Sequence, residues 1–122
     1  MAEHMLPHQH GEPEEDLSAI IDKIQDADDF QLIADKFRIL GEGSRIRIFW
    51  LLCHCEQCVT NISAIVDMSS PAVSHHLKLL KSAGLITSRR EGKEVYYTAA
   101  KTEEAQLLHL MIERVMKIAC PM

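Results

Sequence analysis

The sequence predicts a mainly α-helical fold with one small β-hairpin. Apolar residues recur at spacings of three and four through most of the chain, which is the period of a helix. Residues 85 to 98 instead contain β-branched and aromatic residues on both sides of a glycine, which is typical of a hairpin. The 122 residues fit one small domain with a modest core, so we expect two copies to share a surface.

Three helices are predicted in the first half of the chain. The first covers residues 17 to 24, where Leu and Ile side chains share one face. The second runs from about Asp29 to Leu40 and stops at Gly41. Its expected buried face consists of Phe30, Ile33, Phe37 and Leu40. The third begins at Ser44, a residue type that caps helices well. Its expected buried face consists of Ile46, Phe49, Trp50 and Cys53.

Residues 59 to 84 have the pattern of two short helices joined by a tight turn. The first helix is expected to run from Val59 to Val66. Ser69 is placed to cap the second helix, and Pro71 fits its first turn, where a missing N–H has no partner. Gly84 ends this helix. The apolar residues expected to face the core are Ile62, Ile65, Val66, Val73, Leu77, Leu79 and Leu80.

The second of these helices also has a polar face, opposite its apolar stripe. This face consists of Ser70, Ser74, His75 and Lys78, which are short polar or basic groups suited to a DNA groove. The hairpin follows at once, with strands expected at residues 85–90 and 94–98 around a turn at 91–93. A reading helix followed by a basic hairpin predicts a winged helix-turn-helix, and hence a DNA-binding protein.

The charge is unevenly distributed along the chain. The net charge is -5, but residues 1 to 30 contain nine acidic residues and one lysine. Residues 69 to 101 contain six basic and two acidic residues. Because attraction to phosphate depends on the local surface, the acidic total does not exclude DNA binding by the basic segment.

A last helix is predicted from about Thr102 to Ala119. Its apolar residues cover a surface too broad for one small core. We therefore expect a homodimer that pairs through the terminal helices.

Residues 1 to 16 lack apolar periodicity and are expected to form a flexible tail, which leaves residues 17 to 122 as one DNA-binding and sensor domain.

From Phe37 to Tyr97 the chain resembles the ArsR/SmtB family of bacterial metal- and metalloid-responsive repressors. The resemblance depends on three segments: residues 43–48, residues 74–80 together with Gly84 and Leu85, and residues 89–97. It implies a homodimer that binds a palindromic operator in double-stranded DNA and is released when an inducer binds. Since two reading helices lie about one turn of DNA apart in such dimers, a small change in their geometry is enough for release.

The residues expected to contact DNA lie on the reading helix, at its start and on the hairpin. The hairpin residues are expected to contact phosphates or the minor groove rather than to read sequence. One of the two adjacent histidines must turn away from the DNA. The full predicted set is Ser69, Ser70, Ser74, His75, His76, Lys78, Arg89, Arg90 and Lys93.

Three cysteines in a C-x-C-x-x-C run form a second candidate site. Cys53, Cys55 and Cys58 lie between two predicted helices, and thiolates favour soft ions such as cadmium, lead, zinc or trivalent arsenic. The resemblance supports Cys58, which stands where cadmium, lead and zinc sensors of the family have a ligand. Cys120 could complete the site. The tail histidines His4, His8 and His10 could add nitrogen ligands.

Two inducer classes stay open at this stage. The alternative to ion binding is a repressor that responds to redox or persulfide chemistry through a Cys53–Cys120 link. Some members of the family that the chain resembles have a zinc or nickel site on the last helix. Its positions here hold Lys101, Glu103, Arg114 and Lys117, so that site is not expected. His109 is then expected to be a surface or interface residue rather than a ligand.

Several function classes are disfavoured by the sequence. No apolar run reaches the roughly 20 residues that cross a bilayer, and the first residues do not form a signal peptide, so we expect a cytoplasmic protein without a membrane partner. The chain has no phosphate-binding glycine loop and no hydrolase motif, so we expect neither an enzyme nor a small organic substrate.

Overall fold

The structure is a computed structural model, and it describes residues 6–8 and 16–120. The described residues divide into two compact units, one that extends up to residue 36 and one that begins at residue 37. The predicted tail lies mostly outside the described residues. The elements are α1 (Leu17–Ile24), α2 (Ala27–Ile39), α3 (Gly43–His54), β1 (Gln57–Cys58), α4 (Val59–Val66), α5 (Ser70–Ser82), β2 (Ile86–Glu91), β3 (Glu94–Ala99) and α6 (Glu103–Ala119).

The first unit contains α1 and most of α2. Asp16 caps α1, because its carboxylate accepts a hydrogen bond from the N–H of Ser18. The predicted burial of the apolar face of α2 is wrong for Phe30, Ile33 and Phe37, which are all about half exposed. Leu40, just after the helix, is buried as predicted. The helical period shows that these side chains share a face, but it does not show what covers that face.

Helix α3 begins earlier than the sequence indicated. Its N-cap is Glu42, whose carboxylate accepts hydrogen bonds from the N–H groups of Ser44 and Arg45, both at 3.1 Å. The prediction of Ser44 as the cap is therefore wrong. Phe49 is fully buried as predicted, but Ile46, Trp50 and Cys53 are only partly buried. The face toward the core consists of Ile48, Phe49 and Leu52.

The core of the second unit lies where α3, α4 and α5 meet the sheet and α6. The two helices predicted at residues 59 to 84 are both present, and Ser69 caps α5 by accepting from the N–H of Ala72. Gly84 ends the turn after α5 with φ +78°, a conformation that favours glycine. Ile65 is half exposed, so its predicted burial is wrong, and Leu79 is partly buried. The buried residues are Ile62, Val66, Val73, Leu77, Leu80, Leu85 and Ile86.

The predicted hairpin is part of a three-stranded antiparallel sheet in the order β1-β3-β2. Strands β2 and β3 pair from Ile86↔Ala99 to Glu91↔Glu94, and Gly92 forms the turn at φ +62°. The two-residue strand β1 pairs Gln57 with Tyr97 and Cys58 with Tyr96. Because β1 is so short, no alternation of residues could reveal it in the sequence. Its position joins the cysteine segment directly to the hairpin.

Helix α6 is capped by Thr102, whose hydroxyl accepts from the N–H of Ala105. Ala105 and Leu108 face the core. A large apolar surface of α6 is exposed in the part of the chain that the structure describes. Its exposed residues are Leu107, Leu110, Met111, Val115, Met116 and Ile118. Within residues 6–8 and 16–120, no helix combines the length and apolar character that a membrane span requires.

Candidate functional site

Helix α5 presents an exposed polar face. Ser70, Ser74, His75 and Lys78 are all exposed, while Val73 and Leu77 on the other side are fully buried. The Ser70 hydroxyl lies 3.3 Å from the Ser63 hydroxyl of α4, which ties the start of α5 to the preceding helix. The buried stripe therefore fixes the helix, and its polar face is left available for a ligand.

His76 points away from this face. Its Nδ1 lies 3.3 Å from a guanidinium nitrogen of Arg45, and its Nε2 lies 3.7 Å from the carboxylate of Glu42. Only 13% of its side chain is exposed, and burial lowers its pKa. Of the two adjacent histidines, His75 is thus the one on the exposed face. His76 and Ser69 are instead held by contacts within the chain, Ser69 through its capping bond.

The basic residues of the hairpin differ from one another in their surroundings. The guanidinium of Arg89 donates to both carboxylate oxygens of Glu56 at 2.7–3.1 Å and to Glu91 at 2.6 Å. It also lies 4.9 Å from the centre of the Tyr96 ring. The hydrogen bonds to the two carboxylates raise the pKa of Arg89. Arg90 and Lys93 are exposed on β2 and in the turn.

The Arg89–Glu56 pair has a structural consequence. Glu56 lies between Cys55 and β1, and β1 itself pairs with Tyr96 and Tyr97 of the hairpin. The segment from Cys55 to Cys58 is therefore joined to the hairpin twice, by a backbone ladder and by a bidentate ion pair. A displacement of this segment would move the hairpin with it.

The three cysteines of the run have different environments. Cys53 lies in the last turn of α3, where burial, followed by the charge of Glu113, raises the pKa of its thiol to about 11. Cys55 is the C-cap of α3. Its sulfur lies 3.6 Å from the backbone carbonyl oxygen of Leu51 and 3.6 Å from the side-chain amide nitrogen of Gln57. Cys58 is buried and is the N-cap of α4, without a capping hydrogen bond from its side chain.

These three sulfurs do not form a ready-made ligand cluster. Among the described residues, the one group of at least three ligand atoms within 4.8 Å of one another consists of His54, His109 and Glu113. An ion bound by Cys53, Cys55 and Cys58 would therefore have to draw the thiols together.

Cys120 lies at the other end of α6 from Cys53. Helices α3 and α6 are antiparallel: Cys53 lines a cavity with His109, whereas Ile46 lines a groove with Met116 and Cys120. The eleven residues from His109 to Cys120 correspond to about 16 Å of helix. A disulfide needs Cα atoms within about 7 Å. The structure thus does not bring Cys53 and Cys120 together within one protomer.

Comparison with known proteins agrees with this architecture. The profile of the family described as "Bacterial regulatory protein, arsR family" matches residues 42–88. The solution structure of the homodimeric winged helix-turn-helix DNA-binding domain Mb0332 from Mycobacterium bovis, a possible ArsR-family transcriptional regulator, superposes with a TM-score of 0.68. It is 31% identical, and the alignment covers 76% of this chain and 85% of that domain. The chain belongs to the ArsR family of bacterial regulatory proteins.

Two named repressor relatives are similar over a shorter part of their length. The transcriptional repressor SmtB homolog of Synechocystis sp. is 37% identical over 78 residues, which are 64% of this chain and 59% of the relative. The cadmium resistance regulatory protein CadC homolog of Staphylococcus aureus is 36% identical over 77 residues, 62% of this chain and 64% of the relative. The chain thus matches about three fifths of each of these relatives.

The membership confirms two predictions from the sequence. The resemblance to the ArsR/SmtB family is real, and the fold is a winged helix-turn-helix with β2 and β3 as the wing. The named relatives of this ArsR-family chain are transcriptional regulators.

Proposed function

We propose that this ArsR-family chain is a homodimeric transcriptional repressor that leaves its operator when a thiophilic ion binds Cys53, Cys55 and Cys58. The observation that supports it most is the juxtaposition on one fold of an exposed polar face on α5, a basic wing and a cysteine run attached to that wing. As a regulator of DNA it would act in the cytoplasm.

The proposed DNA surface consists of α5 and the wing tip. Ser70, Ser74, His75 and Lys78 would enter the major groove, and Arg90 and Lys93 would contact phosphates. The other three predicted contact residues would act through positioning. Ser69 caps the reading helix, His76 packs it against the start of α3, and Arg89 joins the wing to Glu56.

The proposed dimer uses the uncovered apolar surface of α6. Burying these residues against a second copy removes apolar area from water, and such burial is the main favourable term in protein association. The Mycobacterium bovis relative is described as homodimeric. Two copies would place two reading helices on the two halves of a palindromic operator.

The proposed release begins at the cysteine run. An ion that draws the sulfurs of Cys53, Cys55 and Cys58 together would displace the connection between α3 and α4. Because Glu56 and β1 lie within that connection, the displacement would reach Arg89 and the wing. The wing and α5 could then no longer contact both half-sites at once.

The ion is expected to be cadmium, lead, zinc or arsenite, since soft ligands select soft ions. The Staphylococcus aureus relative is named for cadmium resistance, which supports cadmium as the first ion to test. The redox alternative is less well supported. Cys53 has a raised pKa, which disfavours a nucleophilic thiolate, and Cys120 lies far from it along α6.

The test uses fluorescence anisotropy with a palindromic duplex recovered by in vitro selection from random DNA. We expect the full chain to bind it as a dimer, with affinity that falls steeply as salt rises. Cadmium, lead, zinc and arsenite are then added separately at stoichiometric concentration. At least one should weaken binding in the parent chain and in Cys120→Ser, but not in Cys58→Ser. An unchanged response in Cys58→Ser would contradict the proposal.

A further inference from the structure

The structure brings two histidines and one glutamate together between α3 and α6, at a place that the proposed function does not use. His54 is the last residue of α3, and His109 and Glu113 lie four residues apart on one face of α6. The two His Nε2 atoms are 3.3 Å apart, and the Glu113 Oε1 is 3.3 Å from His54 Nε2 and 3.1 Å from His109 Nε2.

These separations match those of ligands around one small cation. Zinc holds imidazole nitrogens and carboxylate oxygens at about 2.0–2.1 Å in a tetrahedron, whose edges are then about 3.3 Å. All three separations in the cluster lie at that value or slightly below it. Each residue offers one ligand atom, the three atoms lie within 4.8 Å of one another, and the His54 and Glu113 side chains are 45% and 34% exposed. A metal ion can therefore reach the cluster, and water can fill a fourth position.

The three groups do not satisfy one another fully without an ion. If both imidazoles donate an Nε2 proton to Glu113, the two N–H groups also face each other at 3.3 Å. If one imidazole accepts from the other, its Nε2 cannot donate to the carboxylate. A bound cation removes this conflict, because it takes a lone pair from each of the three atoms.

The surrounding residues hold the ligands in place. The indole N–H of Trp50 donates to the same Glu113 oxygen at 3.0 Å, and the Trp50 ring lies against His54 with ring centres 4.3 Å apart. Such outer partners orient metal ligands and contribute to affinity. The hydrogen bond from Trp50 lowers the pKa of Glu113, which keeps it available as an anionic ligand.

We propose that His54, His109 and Glu113 form a binding site for a divalent transition-metal ion of the zinc class, separate from the cysteine run. The donor set of two imidazoles and one carboxylate suits zinc, cobalt or nickel better than arsenite or lead. An ion here joins the end of α3, from which Cys53 and Cys55 emerge, to the helix that presents the apolar dimer surface. The site does not depend on the proposed DNA function.

The test is a zinc competition titration against a chromophoric chelator, with the full chain in reduced, metal-free form. His109→Gln and Glu113→Gln should each weaken one zinc site by more than about 100-fold, and Trp50→Phe should weaken it by about 10- to 100-fold. The matched control His75→Gln, in which an exposed histidine of α5 is replaced, should leave it unchanged. Circular dichroism verifies that each variant is folded.

Two further chains distinguish the site from other ligands. Zinc binding at this site should persist when Cys53, Cys55 and Cys58 are replaced by serine, and when His4, His8 and His10 are replaced by glutamine. Cobalt(II) in the serine variant should give tetrahedral ligand-field bands without sulfur-to-cobalt charge transfer. If His109→Gln and Glu113→Gln bind zinc as the parent does, or if all zinc binding is lost with the cysteines or the tail histidines, the proposal is overturned.

Discussion

Arg89, Arg90 and Lys93 lie on the same short hairpin, yet we expect them to differ in their effect on DNA binding. Arg89 is bound by Glu56 and Glu91, and this group of three has a net charge of -1. This group therefore has no net positive charge that could displace counterions from the DNA phosphates. Arg90 and Lys93 are exposed on the hairpin and are the expected phosphate contacts.

The measurable quantity is the slope of log affinity against log salt. Each phosphate neutralised by a basic side chain adds about 0.9 to its magnitude, so removing one such side chain from each protomer should lower it by about 1.8. Lys93→Gln should therefore lose about 12-fold less affinity than the parent between roughly 50 and 200 mM salt. The double variant Glu56→Gln with Arg89→Gln removes one charge of each sign and should leave the slope within about 0.5 of the parent value.

The assay is fluorescence anisotropy on the selected palindromic duplex at five or more salt concentrations. Affinity in the double variant is expected to fall, because the wing is no longer joined to the cysteine segment by the ion pair, while the slope stays. A slope that falls as far as it does in Lys93→Gln would refute this reasoning and would show that Arg89 contacts phosphate.

Three further predictions concern stability and pH. Phe49→Ala should lower the free energy of unfolding by about 3–5 kcal/mol in urea denaturation, because Phe49 is fully buried; a decrease below about 1 kcal/mol would contradict the assigned core. Ser69→Ala should cost about 1 kcal/mol through removal of the N-cap, and more than Ser70→Ala in the same assay. Cadmium affinity should rise with pH above neutrality, because the ion displaces the proton that Cys53 retains through its raised pKa. In Cys53→Ser this proton is absent, so the rise in cadmium affinity should be smaller by a factor of about ten for each pH unit. An unchanged rise would exclude Cys53 as a ligand.

The order and type of the helices could be predicted because each has its own periodic apolar residues. Helix α5 is the clearest case, since the capping serine, the proline and the closing glycine all agree with the apolar stripe. The cap of α3 could not be chosen reliably. Glu42 reaches two N–H groups with its two oxygens, whereas Ser44 already lies within the helix.

Contacts between distant parts of the chain could not be predicted from local patterns. Strand β1 has two residues, and it exists because Tyr96 and Tyr97 offer it a partner almost 40 positions away. The His54–His109 pair is similar, because the residues are 55 positions apart and meet only when α3 and α6 pack antiparallel. From the sequence, His109 is therefore expected to be a surface or interface residue, because no local pattern shows that His54 lies beside it.

Hydrogen–deuterium exchange on the DNA-free protein, with and without one equivalent of cadmium, tests the proposed coupling most directly. If an ion at the cysteine run acts through β1, it should speed up exchange at the backbone amides of the β1–β3 ladder. The fold-increase in the exchange rate should be at least as large as the fold-decrease in DNA affinity. In the double variant Cys55→Ser with Cys58→Ser, one equivalent of cadmium should change neither the amide exchange nor the DNA affinity. DNA release without any change at Gln57, Cys58, Tyr96 or Tyr97 would contradict the account.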